Sequence, residues 1–324
     1  MRNKLVERAK ELLADGTVTR VIGWKRGEFS YDVTPAVFET AEELEKDFVY
    51  DGFCGANVSK YLIRESGKEG KILAFLKPCD AFSFNQLLAE HRIRRENVYA
   101  VGIPCEGMAD IGKIRSAGFD GVTGIREEGE EFVLSTLYGE ERIVKKDALA
   151  ERCLVCKSKR HPVYDELIGE EGEDLPDDAR FEAVEKLEKM TAEERFKFWR
   201  GELSRCIRCN ACRNVCPACT CENCVFDNPD SGISQKAAAD PFEESMYHII
   251  RAFHVAGRCT DCGECSRVCP ENIPLHLLNR KFIKDIDELY GAYRAGENAE
   301  NKNPLVSFRE EDAEPSVVHE RGRA

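Results

Sequence analysis

The sequence has no apolar run long enough to cross a bilayer, and Met1-Arg2-Asn3-Lys4 leads straight into a charged amphipathic helix rather than a signal-peptide core. Neither a membrane span nor a secretory leader is expected, and the setting that follows is a reducing cytoplasm. Positive charge is in deficit, 47 Lys and Arg against 60 Asp and Glu, for a net charge of -13. Nucleic acid and anionic membrane surfaces call for a basic face, so neither is expected as the main partner. The acid gathers in 170–178 and in the polar tail after Gly296, as solvated loops do. A nucleophile elbow, a P-loop and a full dinucleotide fingerprint are also missing, which removes three common routes to catalysis.

What the chain has in plenty is cysteine, 16 residues, better read in a reducing compartment as metal ligands than as disulfides. Two runs, Cys206-x-x-Cys209-x-x-Cys212-x-x-x-Cys216-Pro217 and Cys259-x-x-Cys262-x-x-Cys265-x-x-x-Cys269-Pro270, repeat the ligand spacing of a bacterial two-cluster ferredoxin. A tight C-x-x-C-x-x-C loop offers three thiolates to one cubane face while its N–H groups point at the sulfurs. The fourth ligand in that pattern is the Cys before the proline of the other run. One 4Fe-4S cluster is therefore expected on Cys206, Cys209, Cys212 and Cys269, and a second on Cys259, Cys262, Cys265 and Cys216. Zinc is the alternative, but a zinc site needs only four Cys, usually as two pairs, whereas each run carries three plus Cys-Pro.

With 324 residues and 42% hydrophobic content the chain can build about two domains of ~150 residues each. The first reads as α/β with a mostly parallel sheet. Residues 5–13 form an amphipathic helix with Leu5, Ala9, Leu12 and Leu13 inward and Gly16 as its stop, and 17–22 is strand-like. Thr40 and Glu43 make a capping box for a short helix. The apolar run Ile72 to Leu76 is a buried parallel strand ending at Lys77-Pro78-Cys79-Asp80, a helix spans 81–92, and the strand 98–103 ends at Pro104-Cys105-Glu106-Gly107. This β-α-β unit puts Cys79 and Cys105 at the carboxyl edge of the sheet, where open α/β sheets bind ligands. Cys153-x-x-Cys156 completes four thiolates, enough for a third 4Fe-4S cluster or for one tetrahedral zinc. Iron is preferred, because a lone zinc would contribute structure but no conduction. Lys77, Lys157, Lys159 and Arg160 would offset the cluster charge, and His161 is expected in a solvated basic turn.

Residues 49–170, with Lys-Pro-Cys-Asp at 77–80, Gly-Ile-Pro-Cys-Glu-Gly at 102–107 and Cys-Leu-Val-Cys at 153–156, resemble the beta-subunit family of deazaflavin-reducing (coenzyme F-420) hydrogenases and dehydrogenases. The runs from Arg205 to Cys216 and from His254 to Cys259 are similar to the branch fused to a ferredoxin module and found with formate dehydrogenases, hydrogenases and heterodisulfide-reductase-like complexes. The resemblance covers most of 49–285. It implies an iron-sulfur subunit relaying electrons between a catalytic dehydrogenase or hydrogenase subunit and a flavin or heterodisulfide-reductase-like subunit. Family members with full activity also bind FAD and reduce the deazaflavin. This chain has no glycine-rich N-terminal flavin segment, only Gly52-Phe53-Cys54-Gly55 and Gly121-Val122-Thr123-Gly124, so intrinsic flavin chemistry stands as the alternative function.

The expected organisation is an α/β domain over 1–180, a helical linker over 181–204, an α+β dicluster ferredoxin-like domain with an insertion over 205–290, and a polar tail over 291–324. Phe181, Val184, Leu187 and Met190 mark one linker helix, and Thr191 with Glu194 caps another carrying Phe196, Trp199 and Leu203 as core. Met246, Ile249, Ile250 and Phe253 recur at helical spacing within the insertion. Arg205, Arg208, Arg213, Arg258 and Arg267 flank the clusters, where positive charge stabilises the reduced form or docks an acidic partner. Cys219, Cys221 and Cys224 could join Cys216 in a separate four-ligand site of the kind zinc takes, Cys219 or Cys224 could replace Cys216 at a cluster, or all three could be free thiols or packing residues; Cys54 has no assigned role.

Overall fold

The computed structural model describes residues 1–157, 159–174, 179–228, 230, 240–300 and 302–307. The end of the acidic stretch, part of the insertion and the last part of the polar tail, 308–324, lie outside the described residues. The chain forms two compact units, Met1–Arg180 and Phe181–Ala324.

The first unit is α/β. Its elements begin with α1 (Arg2–Ala14), β1 (Arg20–Arg26), β2 (Val33–Phe38), α2 (Ala41–Asp47), β3 (Phe48–Val49) and α3 (Leu62–Glu65). They continue with β4 (Ile72–Leu76), α4 (Pro78–Ala89), β5 (Val98–Gly102) and α5 (Ile111–Ser116). After these come β6 (Val122–Glu128), β7 (Glu131–Thr136), β8 (Gly139–Val144), α6 (Lys145–Ala148), α7 (Glu151–Leu154) and β9 (Glu166–Leu167). The main sheet runs β2-β1-β4-β5-β9, with β3 also on β1. β1, β4, β5 and β9 are parallel, whereas β2 and β3 join β1 antiparallel. A second sheet, β6-β7-β8, is an antiparallel meander.

All five residues of β4 are fully buried, as the continuous apolar run requires of a central parallel strand. Burying each large side chain there contributes about 1.5–3 kcal/mol. β1 starts later than the β-branched pattern suggests, because residues 17–19 close the preceding helix. Asp15 Oδ1 accepts from the Thr17 N–H at 2.8 Å, and the Val18 N–H reaches Leu12 O at 3.1 Å. Pairing with β4 begins only at Arg20 opposite Ile72. α4 starts earlier than expected. Pro78 takes the first helical position, where its missing N–H costs nothing, and Asp80 accepts from the Lys77 N–H at 3.1 Å. Cys79 therefore sits in the first turn of a helix, not in a loop.

The second unit is helical: α8 (Glu182–Glu188), α9 (Ala192–Leu203), α10 (Ala211–Val215), α11 (Pro241–Val255), α12 (Glu264–Arg267) and α13 (Leu275–Tyr290). Thr191 and Glu194 form the full capping box that opens α9. Val184, Leu187 and Leu203 are buried, but Phe196 is exposed, since it falls on the solvent face of α9. α11 departs from the expected pattern: Ile249 and Phe253 are 41% and 62% exposed, Met246 and Ile250 are half-buried, and Glu244, His248 and Arg251 are buried beside Tyr247, Ala252 and Val255. The polar groups are drawn inward because cysteines of the first run lie there, Cys206 against His248 and Cys212 against Arg251. From the following segment, Tyr293 Oη donates to Gly257 O at 2.9 Å and Asn303 Nδ2 to Ala256 O at 3.3 Å, just ahead of Cys259.

Candidate metal centres

In the first unit the first turn of α4 and the segment after β5 carry Cys79 and Cys105, and α7 brings Cys153 up against them. The Met108 N–H lies 3.4 Å from Cys153 Sγ. Gly107 makes this approach possible: its φ is +125°, and a Cβ there would meet Leu149 Cδ2 at 2.7 Å and Cys153 Cβ at 3.3 Å. The four sulfurs act on one another. Burial first, then Asp80, Cys105 and Cys156, push the Cys79 thiol up against the opposing pull of Lys77. Burial, followed by Cys153, pushes the Cys105 thiol up to about 12. Such thiols stay neutral unless a cation offsets the thiolate charge, which is the role of a metal.

Lys77 is 1% exposed, donates from Nζ to Ala56 O at 3.0 Å, pairs with Asp80 Oδ2 at 2.9 Å and lies over the Trp24 ring at 4.0 Å. Burial works against its charge, but Asp80 and Cys79 outweigh it and hold the ammonium on. Lys159 Nζ donates to Cys105 O at 3.2 Å, whereas Arg160 is exposed. His161 departs from the expectation of a solvated turn. Its ring is buried, with Nε2 3.0 Å from Leu76 O and Nδ1 3.1 Å from Glu171 Oε1. Gly102 leaves the room for it, since a Cβ there would meet the imidazole at 3.3 Å.

In the second unit the two cysteine runs build matching loops. Arg208 and Asn210 have φ of 53° and 61°, and Asp261 and Gly263, at the same places in the second run, 59° and 67°. Left-handed residues at both positions turn successive N–H groups toward the enclosed sulfurs. Asn210 is held there by Tyr247 Oη, which donates to its Oδ1 at 3.1 Å, and Asp261 by Arg280 Nε at 3.1 Å. Cys206, Cys209, Cys212 and Cys269 line one hollow together with Tyr247 and His248. The Arg208 N–H points at Cys206 Sγ at 3.4 Å, and His248 Nε2 lies 3.2 Å from the same sulfur. Burial, with Arg251 and Arg208 nearby, pushes the His248 imidazole down to about 3, so the ring is neutral.

Cys216 belongs with the other run. Burial pushes the Cys265 thiol up to about 11, against Arg251 and with Cys216 and Cys212 adding to it. Burial raises Cys259 and Cys262 as well, and Cys216 is again among the neighbouring charges. Asn279 Nδ2 approaches Cys265 Sγ at 3.7 Å.

Cys219, Cys221 and Cys224 diverge. Cys219 packs beside Cys216 and Cys259, Cys224 packs with Phe226 and Tyr247, and Cys221 is exposed. A zinc tetrahedron with Zn–S bonds of about 2.3 Å holds its sulfurs about 3.8 Å apart. Among the described residues the one set of three or more ligating groups within 4.8 Å of one another is Cys206, Glu244 and His248. Neither the three extra cysteines nor the Cys79 set is that compact. Cys54 is fully buried in the first unit's core, where burial and Asp51 push its thiol well up.

Sequence reasoning missed the inward face of α11. Arg251 is 3% exposed and donates from Nη2 to Cys212 O at 3.0 Å. The flanking arginines singled out from the sequence are instead mostly neutralised. Arg205 pairs with Glu202, Arg208 with Glu244, Arg213 with Asp227 and Arg267 with Glu264.

Residues 202–273 match the family model for the 4Fe-4S dicluster domain. The chain is 26% identical over 338 residues to the F420-dependent formate dehydrogenase subunit beta of Methanocaldococcus jannaschii, covering 86% of this chain and 88% of that protein. It is 25% identical over 354 residues to the F420-dependent formate dehydrogenase 1 subunit beta of Methanococcus maripaludis, covering 89% and 88%. A shorter likeness, 32% over 79 residues, links 24% of the chain to 75% of a putative ferredoxin-3 of Sinorhizobium fredii. With a 4Fe-4S dicluster domain over 202–273 and a likeness along most of its length to beta subunits of F420-dependent formate dehydrogenases, the chain is an iron-sulfur electron-transfer subunit of an oxidoreductase complex.

Proposed function

We propose that this chain carries electrons between a catalytic formate-oxidising subunit and a second redox subunit, through three 4Fe-4S clusters and with no substrate chemistry of its own. Each cluster, when bound, takes up and gives back one electron. Cys206, Cys209, Cys212 and Cys269 hold the first, Cys259, Cys262, Cys265 and Cys216 the second, and Cys79, Cys105, Cys153 and Cys156 the third. The observation that carries the reading is the crossed gathering of cysteines, Cys269 beside the first run and Cys216 beside the second. The left-handed loop residues aim N–H donors at the sulfurs, and Lys77 supplies fixed positive charge beside Cys79 and Cys105.

A second reading, a flavin in the first unit that exchanges electrons with a deazaflavin, is favoured by the F420-dependence in the names of both formate dehydrogenase relatives. Zinc is the weaker choice for the Cys79 set, because a lone zinc beside two clusters would contribute structure but no conduction. Anaerobic isolation of the native complex separates the readings. Formate should bleach the clusters of this chain only while the catalytic partner is attached. Deazaflavin reduction by the isolated chain, with stoichiometric flavin, would overturn the conductor.

A further inference from the structure

Burying a guanidinium costs several kcal/mol unless an anion answers it. Arg251 is buried on α11, and among the described residues its Nε has no hydrogen-bond partner and it makes no ion pair with a carboxylate. The one hydrogen bond it makes with the described residues runs from Nη2 to the carbonyl of Cys212, a ligand of the first ferredoxin set. The charges acting on it are those of Cys216, Cys265, Cys212 and Cys219, drawn from both ferredoxin sets. The other arginines near the runs differ in kind, since Arg208, Arg213 and Arg267 each have their own acid.

We propose that Arg251 is a positioning residue, the buried counter-cation shared by the two ferredoxin clusters, which holds both potentials up. The inference rests on the reading that both runs bind 4Fe-4S clusters. One electron added to either cluster adds one negative charge, with no bond made or broken, and a fixed cation beside both favours that state at both. α11 lies within the long insertion between the two runs, so the insertion would set the potential of the pair rather than merely join them.

The test is a redox titration of the full chain, purified anaerobically and followed by the electron paramagnetic resonance of the reduced clusters, for wild type, Arg251→Met, Arg251→Lys and Arg205→Met. Arg251→Met should lower both ferredoxin midpoints, cutting the reduced-to-oxidised ratio at fixed potential at least tenfold, about 59 mV for one electron. Arg251→Lys should stay near wild type, and Arg205→Met should not move. If Arg251→Met fails to keep its clusters while Arg251→Lys keeps them, the counter-cation role is also supported. Full clusters with unchanged midpoints in Arg251→Met, or equal losses in Met and Lys variants, would overturn it. Absence of 4Fe-4S signals in the wild type would sink the underlying reading instead.

Discussion

His248 Nε2 lies 3.2 Å from Cys206 Sγ, inside the fold and within the hollow that four cysteines share. Burial and the nearby arginines disfavour the imidazolium, and in the tautomer that carries its proton on Nε2 the ring donates to the sulfur, which raises a cluster's potential. His248→Phe keeps the ring's bulk and removes that donor. The expected outcome is a lowered midpoint for the cluster on the Cys206 set, with the Cys259 set changed less, read by the same redox titration.

The crossed ligation predicts which run fails when a Cys-Pro cysteine is lost. Cys269→Ser should remove about four irons and the signal of the cluster held by the first run, while Cys216→Ser should remove about four from the second. Iron analysis with single-variant resonance spectra checks the pairing. The opposite assignment of signals would mean that each run closes its own cluster, or that Cys219 takes the place of Cys216.

Gly107→Ala should disturb the first unit alone. The left-handed φ and the 2.7 Å approach to Leu149 Cδ2 leave no room for a methyl group, and the nearest other atom is Cys153 Cβ. The strain costs about 1–3 kcal/mol. The variant should lose the metal of the Cys79 set while both ferredoxin signals persist.

Lys77→Met leaves Asp80, itself fully buried, without its cation. Breaking such a pair costs about 3–5 kcal/mol. Urea unfolding followed by Trp24, which lies under the ammonium, should show that loss. Asp80→Asn in the same background should recover part of it, since the charge left unpaired is then gone.

The cysteine spacing made the ferredoxin sets legible, because ligand loops are local and their proline ends are explicit. The carboxyl-edge placement of Cys79 and Cys105 was legible too, since two short apolar runs separated by a helical stretch read as a β-α-β unit, although Pro78 opens the helix itself rather than a loop before it. What the sequence hid was α11. Ile249 and Phe253 are exposed, and His248 and Arg251 share the buried face with Tyr247, Ala252 and Val255, where the usual rule puts an apolar stripe. That mixture depends on what the helix packs against, which periodicity does not encode. His161 was misjudged for the same reason: its charged neighbours in sequence said surface, while Leu76 O and Glu171 enclose it in space.

The three-cluster relay is tested most directly by iron, acid-labile sulfide, zinc and flavin analysis of the anaerobically purified chain beside Cys153→Ser. The account predicts about twelve irons and no flavin for the wild type, falling to about eight in the variant. About eight irons in both, with one zinc or stoichiometric flavin in the wild type, would contradict it.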